Sequence, residues 1–224
     1  MLTVAIETST SLGSVAVGYG DQLVSECALA VRATHSETVL PELSRLLERA
    51  GLEPDQVERV VVGAGPGSFT GVRIAASLAK GWCHARRVPL YAYSSLRAVA
   101  ASVGVSYVCA LFDARRGEVY AEAYDDGALA EPLFGPVVAP FEEVLVRLEP
   151  TAAWSFVGEG AQRHREAIQA RGGSVLAPHL GVPRAAALLW LTHQDPAGEV
   201  KDVSIWEPEY VRASGAERQA LRGG

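Results

Sequence analysis

The chain has 224 residues, of which 49% are hydrophobic and 21% are charged, and its formal net charge is −6. This composition is sufficient for one large or two small domains, and the acidic balance argues against a protein whose whole surface binds nucleic acid. Three widely spaced cysteines argue against a disulfide framework or a zinc site and indicate a reducing, cytoplasmic environment, and the sequence has neither a signal-peptide pattern nor an apolar run of membrane-spanning length.

The first hundred residues predict alternating strands and helices. Short β-branched and aromatic runs, bounded by turn residues, predict strands at residues 3–6, 14–17, 23–29, 59–63 and 89–93. Apolar residues at three- and four-residue spacing predict helices at residues 36–50, 69–84 and 95–101. Ser36 is suited to cap the first of these helices, because its hydroxyl can accept from the free N–H groups of the first turn.

The pattern then restarts in the second half. A strand predicted at residues 107–112 ends in Asp113, as the first strand ends in Glu7, and a hairpin leads into residues 118–124. The remaining predicted elements are helices at 140–148, 162–170 and 183–192 and a strand at 154–158. An internal repeat of this length predicts an α/β fold of two similar domains, residues 1–101 and 102–224, each with a mixed sheet flanked by helices.

A glycine-rich loop joins the predicted strand at 59–63 to the helix that follows it. Its small and hydroxyl-bearing residues are Gly65, Gly67, Ser68, Thr70 and Gly71. A strand, a glycine loop and a helix N-terminus form a common frame for binding phosphate through backbone N–H groups. However, no lysine follows Gly71, and no acid between residues 61 and 112 could bind a ribose. Two interpretations stay open: a present or vestigial phosphate loop, and a turn whose glycines let the helix pack close to a sheet.

Six sequence motifs resemble those of the TsaB (YeaZ) family, and the two similar halves resemble the actin, hexokinase and Hsp70 ATPase superfamily. The most specific motif is Gly-Pro-Gly-Ser-Phe-Thr-Gly-Val-Arg at residues 65–73. The others are Ala-Ile-Glu-Thr-Ser at 5–9, His-Ser at 35–36, Ser-Ser-Leu at 94–96, Asp-Ala-Arg-Arg-Gly-Glu-Val-Tyr at 113–120 and Glu-Tyr-Val-Arg at 209–212.

The resemblance implies a function as well as an actin-like fold. Proteins of the TsaB family are non-catalytic partners of TsaD, which transfers threonylcarbamoyl to adenosine 37 of tRNA, and the ATPase TsaE joins them. TsaB and TsaD pair through helices of their N-terminal domains, and TsaB alone forms a homodimer through a related surface. The resemblance thus implies a scaffold with no membrane contact, no cofactor of its own and indirect contact with tRNA. It leaves open ATP or ADP at an interface shared with the partners.

The partner-binding surface is predicted on the helices at 36–50 and 69–84. The first helix has more leucines than one apolar stripe needs, and the second has small residues along its length, which let two helices approach closely. The predicted interface residues are Leu40, Leu43, Leu47, Gly71, Arg73, Ala75, Ala76 and Ala79. The alternative is that both helices are buried within the chain itself.

A local excess of basic residues lies in the same region. The chain has Arg73, Lys80, Arg86, Arg87 and Arg97 between residues 61 and 112, and no acid there. This set is predicted either to support docking of tRNA or TsaE or to form an ordinary solvated face.

A rival function is that of a stand-alone nucleotide hydrolase or small-molecule kinase with a degenerate nucleotide site at Glu7 and Asp113. The other interpretation of Glu7 is a strand-end acid that caps the turn after it. A freestanding homodimeric binding module is a third option.

No metal site is predicted, because Val39 stands where a second histidine would complete His-x-x-x-His. Peptidase activity is not predicted either, because Thr70 stands where a nucleophile elbow needs glycine.

Overall fold

The computed structural model describes residues 1–30, 35–148 and 150–211, apart from the side chains of Leu29 and of residues 35–37. The predicted cap at Ser36 and the motif residues His35 and Arg212 therefore lie outside the described side chains. In the described part of the chain, the strands form two five-stranded sheets.

The first sheet contains the five strands of the first half. They are β1 (Leu2–Glu7), β2 (Leu12–Tyr19), β3 (Gln22–Ala30), β4 (Arg59–Gly63) and β5 (Leu90–Tyr93), in the spatial order β3-β2-β1-β4-β5. The first three strands form an antiparallel meander, and β4 and β5 add in parallel on the other side of β1. β1 is buried along its whole length, as expected for a central strand with both faces covered.

Two long helices, α1 (His35–Arg49) and α2 (Phe69–Arg86), cover one face of this sheet. α3 (Ser95–Val103) follows β5. Serine side chains cap α2 and α3: the Ser68 hydroxyl accepts from the Gly71 N–H at 3.3 Å, and the Ser94 hydroxyl accepts from the first-turn N–H groups of α3. These bonds satisfy N–H groups that have no partner within their own helix.

The second sheet repeats the topology of the first. Its strands are β6 (Val108–Arg115), β7 (Glu118–Tyr124), β8 (Phe134–Pro140), β9 (Ser155–Val157) and β10 (Ser174–Val175), in the order β10-β9-β6-β7-β8. The central β6 has antiparallel neighbours on one side and parallel neighbours on the other, as β1 does. The predicted fold class, two similar α/β domains with mixed sheets, is confirmed. The edge strands β8 and β10 were not predicted, because one contains Gly135-Pro136 and the other has two residues.

Three short helices cover the outer face of the second sheet: α4 (Phe141–Arg147), α5 (Glu159–Arg163) and α6 (Arg165–Ala170). The predicted helix at 162–170 is thus two helices that meet at His164. The imidazole of His164 stacks on the ring of Phe141 at a centroid distance of 3.9 Å.

The last helix, α7 (Ala185–Gln194), returns to the first sheet and covers the face opposite α1 and α2. The division between residues 101 and 102 therefore separates the two sheets, but it does not separate all the layers. α3 packs against α7 on one side and against the inner face of the second sheet on the other, where Leu96 and Val99 meet Phe112 and Tyr124.

The segment that follows α7 crosses the first half of the molecule. The Val200 N–H donates to the carbonyl of Leu90 at 2.8 Å, and Val203 and Trp206 pack against the core between the sheet and α2. The C-terminal part of the described chain is thus a structural element of the first half.

Candidate functional site

Glu7, at the end of β1, is completely buried and links three loops. One carboxylate oxygen accepts from the Ser9 N–H at 2.6 Å and the other from the Ser95 hydroxyl at 2.8 Å, and that hydroxyl accepts in turn from the Gly65 N–H at 3.3 Å. Burial raises the pKa of the Glu7 carboxyl, and the hydrogen bonds from Ser9 and Ser95 oppose the rise. The structure supports the interpretation of a strand-end acid. Both oxygens are bound within the chain, and the nucleotide role of Glu7 stays a prediction.

The glycine-rich loop packs directly against the turn between β1 and β2. A Cβ atom at Gly67 would lie 2.2 Å from the carbonyl oxygen of Ser9, and one at Gly71 would lie 1.9 Å from that of Thr8. The Ser68 N–H donates to the Ser9 carbonyl at 2.7 Å, and the Thr8 hydroxyl donates to the Gly71 carbonyl at 2.7 Å. The chain itself therefore fills the space next to the loop where a phosphate would approach, which supports the packing interpretation of its glycines.

The other two residues of the predicted loop lie at its edges. Gly65 has a φ of 89° and donates its N–H to Ser95, whereas Thr70 is exposed in the first turn of α2. Asp113 is half-buried at the end of β6, where one oxygen accepts from the Arg115 N–H at 2.8 Å and the other pairs with Arg163 at 2.6 Å. None of these contacts is shared with Glu7, and a nucleotide role for Asp113 stays a prediction.

Half of the predicted interface residues belong to the core of the chain itself. Leu43 and Leu47 of α1 and Ala75 and Ala79 of α2 are buried against the first sheet. Gly71 is buried as well, against Thr8. These five residues therefore pack within the chain itself, since α1 lies over β2 and β3 and needs a broad apolar face to cover them. Their role at an interface stays a prediction.

Three predicted interface residues remain, and only two of them lie on the outward sides of the helices. Leu40 is 45% exposed and Arg73 is exposed, whereas Ala76 is only 5% exposed. Two further residues of α2, Ser77 and Gly81, are also exposed, and nothing lies within 4 Å of a Cβ placed on Gly81. The outward sides of α1 and α2 thus form a surface of mixed polarity, with its role still a prediction.

The C-terminal segment is tied to α2 by polar and ring contacts. The Arg73 Nε donates to the Tyr210 hydroxyl at 3.2 Å, and the Arg73 guanidinium lies over the Phe69 ring at 4.3 Å from its centroid. Lys80 Nζ donates to the Trp206 carbonyl at 2.7 Å. These contacts fix the segment along the outer part of α2.

The predicted basic face is partly neutralised by acids from distant parts of the sequence. Lys80 pairs with Glu207 at 3.3 Å, and Arg97 pairs with Asp195 at 2.7 Å. Arg86 and Arg87 are exposed at the end of α2. The absence of acids between residues 61 and 112 therefore does not produce a continuous basic surface, since residues after 190 supply the opposing charges.

A cavity of about 410 Å³ lies between the two halves. Its charged lining is mainly acidic and comprises Glu122, Glu131, Asp195, Glu209 and Arg97. Burial raises the pKa of the Glu122 carboxyl, which accepts hydrogen bonds from the hydroxyls of Ser94 and Tyr124. Because Arg97 is already paired with Asp195, this lining is poorly suited to a phosphate group.

The described residues contain neither a candidate metal cluster nor a helix able to span a membrane. In this part of the chain, no group of three or more His, Cys, Asp or Glu side chains is placed to hold a metal ion. The helices of the described segments include none that is both long and apolar enough to cross a membrane.

Comparison with known proteins identifies the family. Residues 29–220 match the family model described as TsaD: tRNA N6-adenosine threonylcarbamoyltransferase. The chain is 30% identical to the tRNA threonylcarbamoyladenosine biosynthesis protein TsaB of Bacillus subtilis, over 97% of this chain and 96% of that protein. The chain belongs to the TsaB (YeaZ) family. The TsaB protein of Escherichia coli is also 30% identical, over 95% of both chains, and the predicted family is thus confirmed.

Solved structures agree with this assignment. A Pseudomonas aeruginosa protein described as similar to peptidase YeaZ superposes with a TM-score of 0.81 and 30% identity, over 94% of this chain and 99% of that one. YeaZ of the same organism gives a TM-score of 0.77 and 29% identity, over 93% and 99% of the two chains. The ethanolamine utilization protein EutJ of Carboxydothermus hydrogenoformans shares the fold alone, with a TM-score of 0.50 and 11% identity over 85% and 90%.

Proposed function

We propose that this chain is a non-catalytic scaffold subunit of the assembly that makes N6-threonylcarbamoyladenosine at position 37 of tRNA. In this proposal it binds and activates a TsaD transferase together with the ATPase TsaE, in the cytoplasm. The observation that carries the proposal is similarity along nearly the whole chain to proteins named for threonylcarbamoyladenosine biosynthesis in tRNA.

The closed glycine loop supports a non-catalytic role. A nucleotide hydrolase of this architecture would need an accessible carboxylate and free loop N–H groups near the phosphates. Here the Glu7 oxygens bind Ser9 and Ser95, and the N–H groups of Gly65 and Ser68 donate to other loops of the same chain. We therefore place any ATP or ADP of the assembly at an interface shared between subunits.

TsaD is proposed to dock on the outward sides of α1 and α2. Leu40 offers exposed apolar area there, and the lack of side-chain cover at Ser77 and Gly81 allows a second helix to approach α2 closely. In the absence of TsaD, the same surface is proposed to form a homodimer. tRNA is then reached mainly through the assembled complex.

The test is light scattering of this chain mixed with TsaD from the same organism, with Leu40→Arg and the control Val146→Arg. Both residues are exposed aliphatic side chains on helices, but Val146 lies on α4 in the second half. We expect a heterodimer that Leu40→Arg abolishes and Val146→Arg preserves, because an arginine at a packed interface must bury its charge.

Two results would overturn this proposal. A heterodimer that survives Leu40→Arg would remove α1 from the docking surface. Failure of the chain to bind TsaD at micromolar concentrations, together with magnesium-dependent turnover of ATP by the chain alone, would favour the stand-alone hydrolase instead.

A further inference from the structure

Two arginines occupy the tight turn between β6 and β7 in a backbone conformation that suits other residues better. Arg115 has a φ of 64° and Arg116 a φ of 58°, and Gly117 follows with a φ of 79°. A side chain in the left-handed region costs roughly 1–2 kcal/mol, and glycine or asparagine is favoured there. A Gly-Asn-Gly turn would therefore be more stable than this Arg-Arg-Gly turn, so the turn chemistry does not explain the two cations.

The side chains of Arg115 and Arg116 are both exposed. In the described ranges, neither guanidinium has a hydrogen-bond or ion-pair partner, although the Arg115 N–H donates to Asp113. The same Asp113 carboxylate pairs with Arg163 of α5, whose side chain is 57% exposed. Asp113 thus contacts the Arg115 backbone and the Arg163 side chain, and Arg116 follows next in the same turn.

The acids at the start of the neighbouring helix α4 are paired with other arginines. The start of α4 is joined to the turn by the Phe141 N–H, which donates to the Gly117 carbonyl at 3.3 Å. Its two glutamates have arginines of their own: Glu142 pairs with Arg171 and Glu143 with Arg147. The hairpin end also contains Asp113, which pairs with Arg163, and Glu118, which is the register partner of Arg115, and it presents Arg115 and Arg116 as exposed cations.

We propose that Arg115, Arg116 and Arg163 bind the phosphate backbone of RNA, which, resting on the function proposed above, is the tRNA substrate of the assembly. Arginine binds phosphate oxygens through a planar fork of N–H donors, and such contacts position a nucleic acid without reading its sequence. The tight turn fixes the backbone positions from which the two adjacent arginine side chains extend. This contact is direct, unlike the indirect one implied by the family resemblance.

The decisive variant is Arg115→Gly/Arg116→Asn, which removes both charges and gives the turn residues that its backbone favours. We expect the unfolding midpoint of the chain to rise, since two left-handed arginines are replaced. We also expect the affinity for an unmodified tRNA transcript to fall about tenfold, and the slope of log K against log salt concentration to decrease by about 2. A purely structural role for the arginines would lower stability and leave the salt slope unchanged.

Two further variants serve as controls. Arg115→Lys/Arg116→Lys keeps the charge and is expected to retain most of the binding. Arg86→Asn/Arg87→Gly removes another exposed pair, in which Arg87 also has a left-handed φ of 56°, and is expected to leave tRNA affinity unchanged. If both pairs lower the affinity equally, the effect is one of overall charge and the assignment to the hairpin is wrong.

tRNA binding is measured on this chain alone and on its complex with TsaD, after light scattering has shown whether that complex forms. Absence of the complex, with tRNA bound by the chain alone and lost in Arg115→Gly/Arg116→Asn, would overturn the scaffold function and keep the RNA contact. An intact complex whose tRNA affinity and salt slope are unchanged by this variant would overturn the RNA contact and keep the scaffold function. Failure of tRNA to bind in either form would also overturn the contact.

Discussion

At the scale of single residues, the glycines of the loop before α2 are explained by contact with the β1–β2 turn. The two loops approach so closely that a Cβ atom at either Gly67 or Gly71 would overlap a backbone carbonyl of that turn. Backbone atoms cannot move aside as the end of a long side chain can. The glycines are therefore a packing requirement of the fold, whatever phosphate-binding ancestry their pattern suggests.

Two glycines of α2 provide a matched test of this explanation. Gly71→Ala is expected to lower the free energy of unfolding by about 1–3 kcal/mol, because its methyl group overlaps the Thr8 carbonyl. Gly81→Ala, in open space in the same helix, is expected to raise it by about 0.5–1 kcal/mol through helix propensity. Urea denaturation followed by circular dichroism measures both. Destabilisation of similar size in the two variants would show that the Thr8 contact is not what requires glycine.

The same glycines show which features of single residues can be predicted from the sequence. The pattern of Gly65, Gly67 and Gly71 correctly predicted a strand–loop–helix unit, since glycine and β-branched residues have strong local preferences. It could not predict which surface the glycines meet, because Thr8 and Ser9 lie about 60 residues earlier in the chain. Glu7 is similar: its position at a strand end was readable, whereas its burial by Ser95 depends on tertiary contacts.

At the scale of secondary-structure elements, α7 is held by side chains from the opposite end of the sequence. The Ala185 N–H donates to the Ser14 hydroxyl at 2.9 Å, and the Ala186 N–H donates to Glu26 at 3.2 Å. Glu26 also pairs with Arg184, and this hydrogen-bonded contact raises the pKa of the Arg184 guanidinium. The helix start therefore receives from β2 and β3 the acceptors that a local cap would otherwise supply.

Removal of this distant cap tests its contribution. Ser14→Ala is expected to lower the free energy of unfolding by about 1–2 kcal/mol, because it leaves the buried Ala185 N–H without an acceptor. Native-state hydrogen exchange is expected to increase most at the first amides of α7. Ser44→Ala, which removes an exposed hydroxyl from α1, is the control and is expected to change stability by less than about 0.5 kcal/mol. Unchanged exchange in α7 would contradict this account of the helix start.

The helices illustrate a general limit of sequence periodicity. Residues 183–192 were predicted as a helix, and α7 is found there, but its return to the first sheet was not predicted because both caps lie more than 150 residues away. The spacing of Leu43 and Leu47 likewise predicted α1 correctly, whereas the sequence left open whether its excess leucines face a partner or the chain's own core. Periodicity gives the face of a helix that is apolar; it does not give the surface that covers this face.

At the scale of the whole molecule, repetition was the most informative sequence signal. Strand, acid, turn and strand recur after Tyr107 as they do after the first residues, and both sheets have the same order and the same mixture of parallel and antiparallel pairs. The contacts between the two halves leave no comparable repeat or pattern in the sequence. They depend on side chains such as Ser94, whose hydroxyl donates to Glu122 on the second sheet.

Arg97 is one of the polar connections between the halves and provides a test at this scale. From α3 it donates to the Ala128 carbonyl of the second half at 2.8 Å and pairs with Asp195 after α7. Arg97→Met is expected to lower the free energy of unfolding by about 2–3 kcal/mol, since it leaves a largely buried carboxylate unpaired. Arg147→Met breaks an exposed pair with Glu143 and is expected to cost less than about 1 kcal/mol.

Unfolding of Arg97→Met is followed by tryptophan fluorescence and by circular dichroism. If Arg97 holds the halves together, the two unfolding transitions will no longer coincide, because the two sheets lose cooperativity. Coincident transitions and equal costs in the two variants would mean that apolar packing of α3 and α7, rather than this arginine, couples the halves.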